Sequence, residues 1–241
     1  MKYILLILWM VLMLFGSCKK TNNVSARVLF YNASWSLPGI SAEWNGASII
    51  STPLIPGQGS GAADSPYIKV PAGTNLITVK TATSTFLDKN IYATAASGTS
   101  FIFFDTSTQA APARMLQLTD DVSLPDTFQL KYRVLNLVPD TSVKVDIWLV
   151  NGNTDSLPLD TASVFDGTTV TAAAVQTFTA LSFHGAHYTV KIKKTGTEQV
   201  YVSVDNYPFA IKGIYTIIFS GLPPAAGNSG FKLSVLRHPA T

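Results

Sequence analysis

A chain of 241 residues that is 47% hydrophobic and only 13% charged carries enough apolar material for one large or two small cores, which excludes a disordered tail. Its 17 Lys and Arg against 14 Asp and Glu leave a formal charge of +3, and the basic residues are scattered instead of forming a stripe along a phosphate backbone. Nucleic acid is therefore not an expected partner. Glu43 and Glu198 are the only glutamates, while Thr, Ser, Val, Ile, Tyr and Phe are abundant, a balance that favours strands over helices.

At the N-terminus, Met1-Lys2-Tyr3 carries one positive charge, and Ile4 to Phe15 is apolar without interruption until Gly16-Ser17-Cys18. That is the shape of an export signal. A helix over this run rises about 18 Å, well short of the roughly 30 Å hydrocarbon core of a bilayer, so a permanent span is the weaker reading. Leu14-Phe15-Gly16-Ser17-Cys18 resembles the lipobox of bacterial lipoproteins, with Phe15 a departure from the usual aliphatic residue. The resemblance implies that Cys18 becomes lipidated at the new N-terminus. Cys18 is also the only cysteine, so it has no intrachain disulfide partner. Lys19 to Asn23 then reads as a short polar tether.

The remainder reads as a tandem of two similar all-β units. Leu130 to Gly152 (LKYRVLNLVPDTSVKVDIWLVNG) gives a strand, a Pro-Asp corner, a second strand and an Asn-Gly turn, and Ala26 to Gly46 is a fainter copy. Corresponding features drift apart along the chain: Asn32 and Asn136 differ by 104, the two Asn-Gly pairs by 106, and Gly98 and Gly213 by 115. Alternation places Val143, Val145, Ile147 and Leu149 on a core face against Lys144 and Asp146, and Ile40, Ala42 and Trp44 against Ser41 and Glu43. The expected architecture is two tandem immunoglobulin-like or Greek-key β-sandwiches. In sequence, residues 1–17 form the signal peptide, 18–25 the lipidated tether, 26–119 the first sandwich, 120–126 a polar linker and 127–241 the second sandwich.

The stretches Arg27 to Ser34 (RVLFYNAS), Val70-Pro71-Ala72-Gly73 before a Thr-Val strand, and Val145-Asp146-Ile147-Trp148 ahead of Asn151-Gly152 resemble the DUF4397 domain. Two departures are Ser41 where the second copy has Asp146, and His184-Gly185-Ala186-His187 in place of the Pro-Ala-Gly turn. The resemblance implies a β-sandwich and a place in the bacterial envelope, and it implies no reaction.

No constellation of residues specifies a reaction. His184 and His187 are spaced like metal ligands but fall in a turn without a completing cysteine or carboxylate. Asn151 to Asp155 opens like a calcium loop, yet Ser156 and Ala162 stand where glycine and glutamate are required. Gly57-Gln58-Gly59-Ser60-Gly61-Ala62 has the glycines of a phosphate cradle but no helix after it, and reads as a flexible loop. Asp120-Asp121 falls in the linker, where neither burial nor a fixed partner would separate two carboxylates for acid and base roles.

Two tryptophans are candidate ligand-binding residues: Trp148 by its outward parity, and Trp35 by its place in a corner loop. The residues between Asn153 and Val170 read as an enlarged loop beside Trp148. Together these features indicate a membrane-anchored, non-catalytic binding or spacer module. Its expected partners are the membrane through the lipid, and carbohydrate or another envelope protein, with no cofactor and no metal. Because acidic residues are absent just after Cys18, the periplasmic side of the outer membrane is favoured over the surface. The competing reading is a hydrolase whose site is assembled only in three dimensions.

Overall fold

The computed structural model describes residues 24–62, 65–108, 113–152, 155–166, 177–182, 187–222 and 230–240. Cys18 and the apolar run before it lie outside these. Among the described residues no helix is long and apolar enough to cross a membrane.

The first unit has eight strands: β1 (Ser25–Asn32), β2 (Ile40–Trp44), β3 (Ala47–Leu54), β4 (Ile68–Pro71), β5 (Gly73–Lys80), β6 (Thr85–Ala93), β7 (Gly98–Phe104) and β8 (Arg114–Asp120). The second repeats them: β9 (Gln129–Asn136), β10 (Val145–Asn151), β11 (Asp155–Ser163), β12 (Thr179–Ser182), β13 (His187–Lys194), β14 (Val200–Pro208), β15 (Ile214–Gly221) and β16 (Phe231–His238). Each unit is a sandwich of two four-stranded sheets. The orders β3-β2-β5-β6 and β4-β1-β7-β8 in the first recur as β11-β10-β13-β14 and β12-β9-β15-β16 in the second. In both, the first strand runs parallel to the seventh and every other pairing is antiparallel.

The alternation read from the sequence holds. Ile40, Ala42 and Trp44 are buried on β2, and Val145, Ile147 and Leu149 on β10, while Val143 is partly buried against the same core. Asn45 and Gly46 both take positive φ, as a two-residue hairpin closing Trp44 onto Ala47 requires. In the second copy Asn151 pairs with Asp155, so the connection is three residues long, with only Gly152 of them described.

The repeated asparagine has a structural reason. Asn32 Nδ2 donates to the carbonyls of Leu37 (3.1 Å) and Leu54 (2.9 Å), and its Oδ1 accepts from the Ser34 N–H, fastening the corner after β1 to the end of β3. Asn136 does the same after β9 through Ser163 and Val138. Both are fully buried, and each satisfies backbone groups that the corner would otherwise leave unpaired.

Two features differ from expectation. The stretch read as an enlarged loop after Asn153 contains β11, which pairs with β10 through two register shifts; Pro158 and polar residues had obscured it. The glycine correspondence is also off by one. The registers set Gly98 opposite Asp120 and Ile214 opposite His238, so Gly98 corresponds to Ile214, not to Gly213. A one-residue slip would exchange the faces of β15 and put Thr216 in the sandwich core in place of Ile217.

Three apolar clusters follow. One fills the first sandwich around Phe30, Ile77, Val79, Phe101 and Phe103, and one the second around Ile147, Leu149, Val190, Ile217 and Phe219. The third lies between the units: Leu29, Tyr31, Ile102, Phe104, Leu116 and Leu118 from the first pack with Leu135, Leu137, Phe165 and Ile218 from the second. Strands β1, β7, β9 and β15 are therefore buried on both faces, and the four sheets stack as layers, β4-β1-β7-β8 against β12-β9-β15-β16 at the centre. The starts of β1 and β9 lie at the same end of the stack. Asp120 and His238 at that end are linked through Tyr67, while Phe104 meets Phe165 at the other.

Candidate functional site

The most concentrated chemistry lies in the seam between the sandwiches, on residues the sequence had placed elsewhere or passed over. Asp120 is the last residue of β8, not part of a solvated linker. It is 3% exposed and accepts from Arg133 (2.6 Å), Tyr67 Oη (2.7 Å) and Ser100 Oγ (2.7 Å). Arg133, on the seam face of β9, also donates from Nε to Thr216 Oγ1 at 2.9 Å, and Phe178 lies over its guanidinium at 4.6 Å. His238 closes the circuit, with Nε2 2.7 Å from Thr216 Oγ1 and Nδ1 2.7 Å from Tyr67 Oη.

The direction of each bond follows from its neighbours. Tyr67 donates to the Asp120 carboxylate, so its oxygen accepts from His238 Nδ1–H. Thr216 accepts from Arg133 and so donates to His238 Nε2. The result is a closed ring, Arg133 to Thr216 to His238 to Tyr67 to Asp120 and back to Arg133, with His238 neutral and its proton on Nδ1. Burial pushes the His238 imidazole down to about 4, with the Arg133 charge adding to the effect against Asp120. Burial likewise raises the Tyr67 phenol, and the Asp120 charge raises it further.

Equivalent positions converge on shared partners here. By register Asp120 corresponds to His238, and both bond Tyr67; Ser100 corresponds to Thr216, and both bond Arg133. This is the pattern of an approximate two-fold interface inside one chain.

The residues singled out in the sequence are dispersed. Trp148 lies half-buried on the outer face of the sheet containing β10, opposite Pro158 on β11 and Lys191 on β13, with Lys193 Nζ 5.7 Å from its ring. Lys193 also pairs with Glu198 at 2.6 Å. Asp146 on the same face is occupied by the N–H groups of Ala162 and Gly196 and by the Thr195 hydroxyl. Trp35 lies at the opposite end from the start of β1. Its backbone N–H donates to Asp105 Oδ2 at 2.7 Å, and Asp105 also takes the hydroxyls of Ser34 and Ser36. The two tryptophans thus belong to separate surfaces.

His187 bonds the Asn206 carbonyl through Nδ1 at 3.1 Å, and His184 lies outside the described residues. Among the described residues no three His, Cys, Asp or Glu gather as a metal site would require. Asn153 and Thr154 of the calcium-like stretch also lie outside. The glycine segment is a fixed strap, not a flexible loop: Ser60 is buried, accepts from Phe30 N–H and donates to the Pro66 carbonyl. With Pro66, the segment Gly59 to Ala62 walls a cleft of about 340 Å³ whose other side is Tyr207, Val235, Leu236 and Arg237.

A second cleft, of about 270 Å³, holds Asp160 and Asp166 near Tyr132. Asp166 accepts from the Asn136 N–H at 2.6 Å, and burial, aided by the Asp160 charge, raises its carboxyl to about 6.

Fold and seam together define a two-sandwich all-β protein whose halves are joined through a buried apolar and ionic interface. No family model matches the chain, and no curated protein matches it.

Proposed function

We propose that the protein is a lipid-anchored lipoprotein of the bacterial envelope, of the DUF4397 type, acting as a non-catalytic binding or spacer module. The observation that carries this reading is the seam. Asp120, Arg133, His238 and Tyr67 are the densest group of titratable side chains among the described residues, and they are bonded in one ring in the seam, the first three buried and Tyr67 partly so. Such a ring ties its members to one another across the seam and so fixes one unit on the other. The result is a stiff body, and stiffness is what a spacer or a presented binding face needs. The outer sheet face with Trp148 and Lys191 is where carbohydrate or an envelope protein would bind, an aromatic ring flanked by a polar donor. Periplasmic-facing attachment to the outer membrane through Cys18 belongs to the same proposal.

The anchor is tested by metabolic labelling. Wild type should incorporate radiolabelled palmitate and sediment with membranes, and Cys18→Ala should do neither. Labelling of the variant to the wild-type level would overturn the lipoprotein reading.

A further inference from the structure

Nine large hydrophobic side chains are exposed among the described residues, and six of them, Val24, Leu76, Tyr92, Leu124, Phe128 and Ile211, lie at one end of the sheet stack. Backbone contacts fix the placement. Val24 O accepts from Ala72 N–H at the foot of β5, where Tyr92 faces Thr74, two residues from Leu76. In the second unit, Lys212 N–H donates to the Gln129 carbonyl at 2.6 Å and Gln129 N–H to Asp126 at 3.1 Å, so the turns carrying Ile211 and Phe128 are clipped side by side. Leu124 sits in the connector that Lys131 holds through Asp121 and Ser123. This is the end where β1 and β9 both begin.

Phe128 is the most telling of the group. It is 60% exposed at φ 63°, a left-handed conformation that a bulky L residue adopts only against resistance, and its neighbour Lys212 has φ 62°. A turn of this kind favours glycine or asparagine; here it holds an aromatic ring out in water. Such an outlier at an exposed apolar tip points to a contact that repays it.

The tether supplies the occupant. Only residues 19–23 separate Cys18 from Val24, a reach of about 20 Å at full extension. On the lipid-anchor reading above, this end is therefore held against the bilayer. Its chemistry suits that place, since apolar and aromatic tips enter the headgroup region while lysines pair with anionic lipid. Lys212 on the rim, with Lys19 and Lys20 in the tether, outnumber the exposed Asp126, while Asp121 in the connector is paired with Lys131. We infer that this end is a membrane-docking surface, with Leu124, Phe128 and Ile211 seated among the headgroups of the bilayer that carries the lipid anchor, so that the body stands with its strands pointing away from the membrane.

The test uses the chain from Cys18 onward, which contains every described strand, coupled through its single thiol to a maleimide lipid. The vesicles are of phosphatidylethanolamine and phosphatidylglycerol. Attachment then does not depend on cellular lipidation, which the palmitate experiment reads separately. Amide hydrogen exchange over residues 122–130 and 209–213 should slow by about tenfold on tethering, against the same chain free in solution. The slowing should vanish in Phe128→Ser/Ile211→Ser, whose fold is checked by circular dichroism. Unchanged exchange in chains that still float with the vesicles would overturn the inference, as would equal slowing in the variant. Slowing that grows with protein density on the vesicle would assign the surface to a second copy instead.

Discussion

A buried group and a partly buried one make stability respond to acid in opposite directions. His238 titrates at 6.5 when exposed and at about 4 in the fold, so its neutral form favours the folded state. Its contribution is fully present above pH 6.5 and is lost as pH falls from there to about 4. The difference of roughly 2.5 units is worth about 3 kcal/mol. Asp166 moves the other way, from 3.8 to about 6, so its contribution is present below pH 3.8 and is lost as pH rises through 6. Allowing for its partial exposure, that is about 2 kcal/mol. Between pH 6 and pH 4 the two nearly cancel, and Asp121, held down to about 2 mainly by its bond from Lys131, titrates below that window. Urea unfolding at constant ionic strength should therefore give a nearly flat profile for wild type over this range. His238→Gln should gain about 2 kcal/mol on going from pH 6 to 4, and Asp166→Asn should lose about 2 to 3 over the same interval. If His238→Gln has the slope of wild type, the histidine is not the neutral member of the ring and the bond directions assigned to it are wrong.

Removing one member of the seam ion pair should be far worse than removing both. Arg133→Met leaves the Asp120 carboxylate buried among Tyr67 and Ser100 and should cost about 3 to 5 kcal/mol in denaturant unfolding, whereas Arg133→Met/Asp120→Leu should recover most of that. Equal losses in the single and double variants would show that the apolar seam dominates. At the outer face, Trp148→Ala should leave the unfolding midpoint within about 1 kcal/mol of wild type while lowering retention on envelope glycans or envelope-protein extract by about tenfold. Undiminished retention would move the ligand face to Trp35.

The two-unit architecture was legible because the local signals agree with one another. Val145, Ile147 and Leu149 alternate cleanly since one face of β10 meets the core and the other meets water. The seam was legible only in part. The runs Val28 to Tyr31 and Phe101 to Phe104 are apolar at both parities, which is how a strand buried on two faces reads, and Ile214 to Phe219 repeats it. Those runs announce that some sheet is covered twice, but not by what. Arg133 and His238 gave no local signal, because a polar residue on an outward parity looks solvated until the second sandwich is in place. Strands β3 and β11 were hidden for a different reason: their bulges break the period of two, and Pro53 and Pro158 read as loop residues.

The approximate two-fold seam bears on dilution. Two separate sandwiches meeting through such a surface would form a dimer whose occupancy falls as the protein becomes scarce. Here the connector, residues 121–128, makes the encounter intramolecular, at an effective concentration in the millimolar range for a short link. The pairing therefore persists whether one copy is present or thousands. A permanent neighbour also frees the two faces from having to be identical. Asp120 and His238 occupy matching positions with unlike chemistry, and so do Leu29 and Arg133, which a self-pairing surface could not tolerate without setting like groups against each other. The ring of bonds from Arg133 through His238 to Asp120 is an arrangement open to a covalently joined pair and closed to a symmetric one.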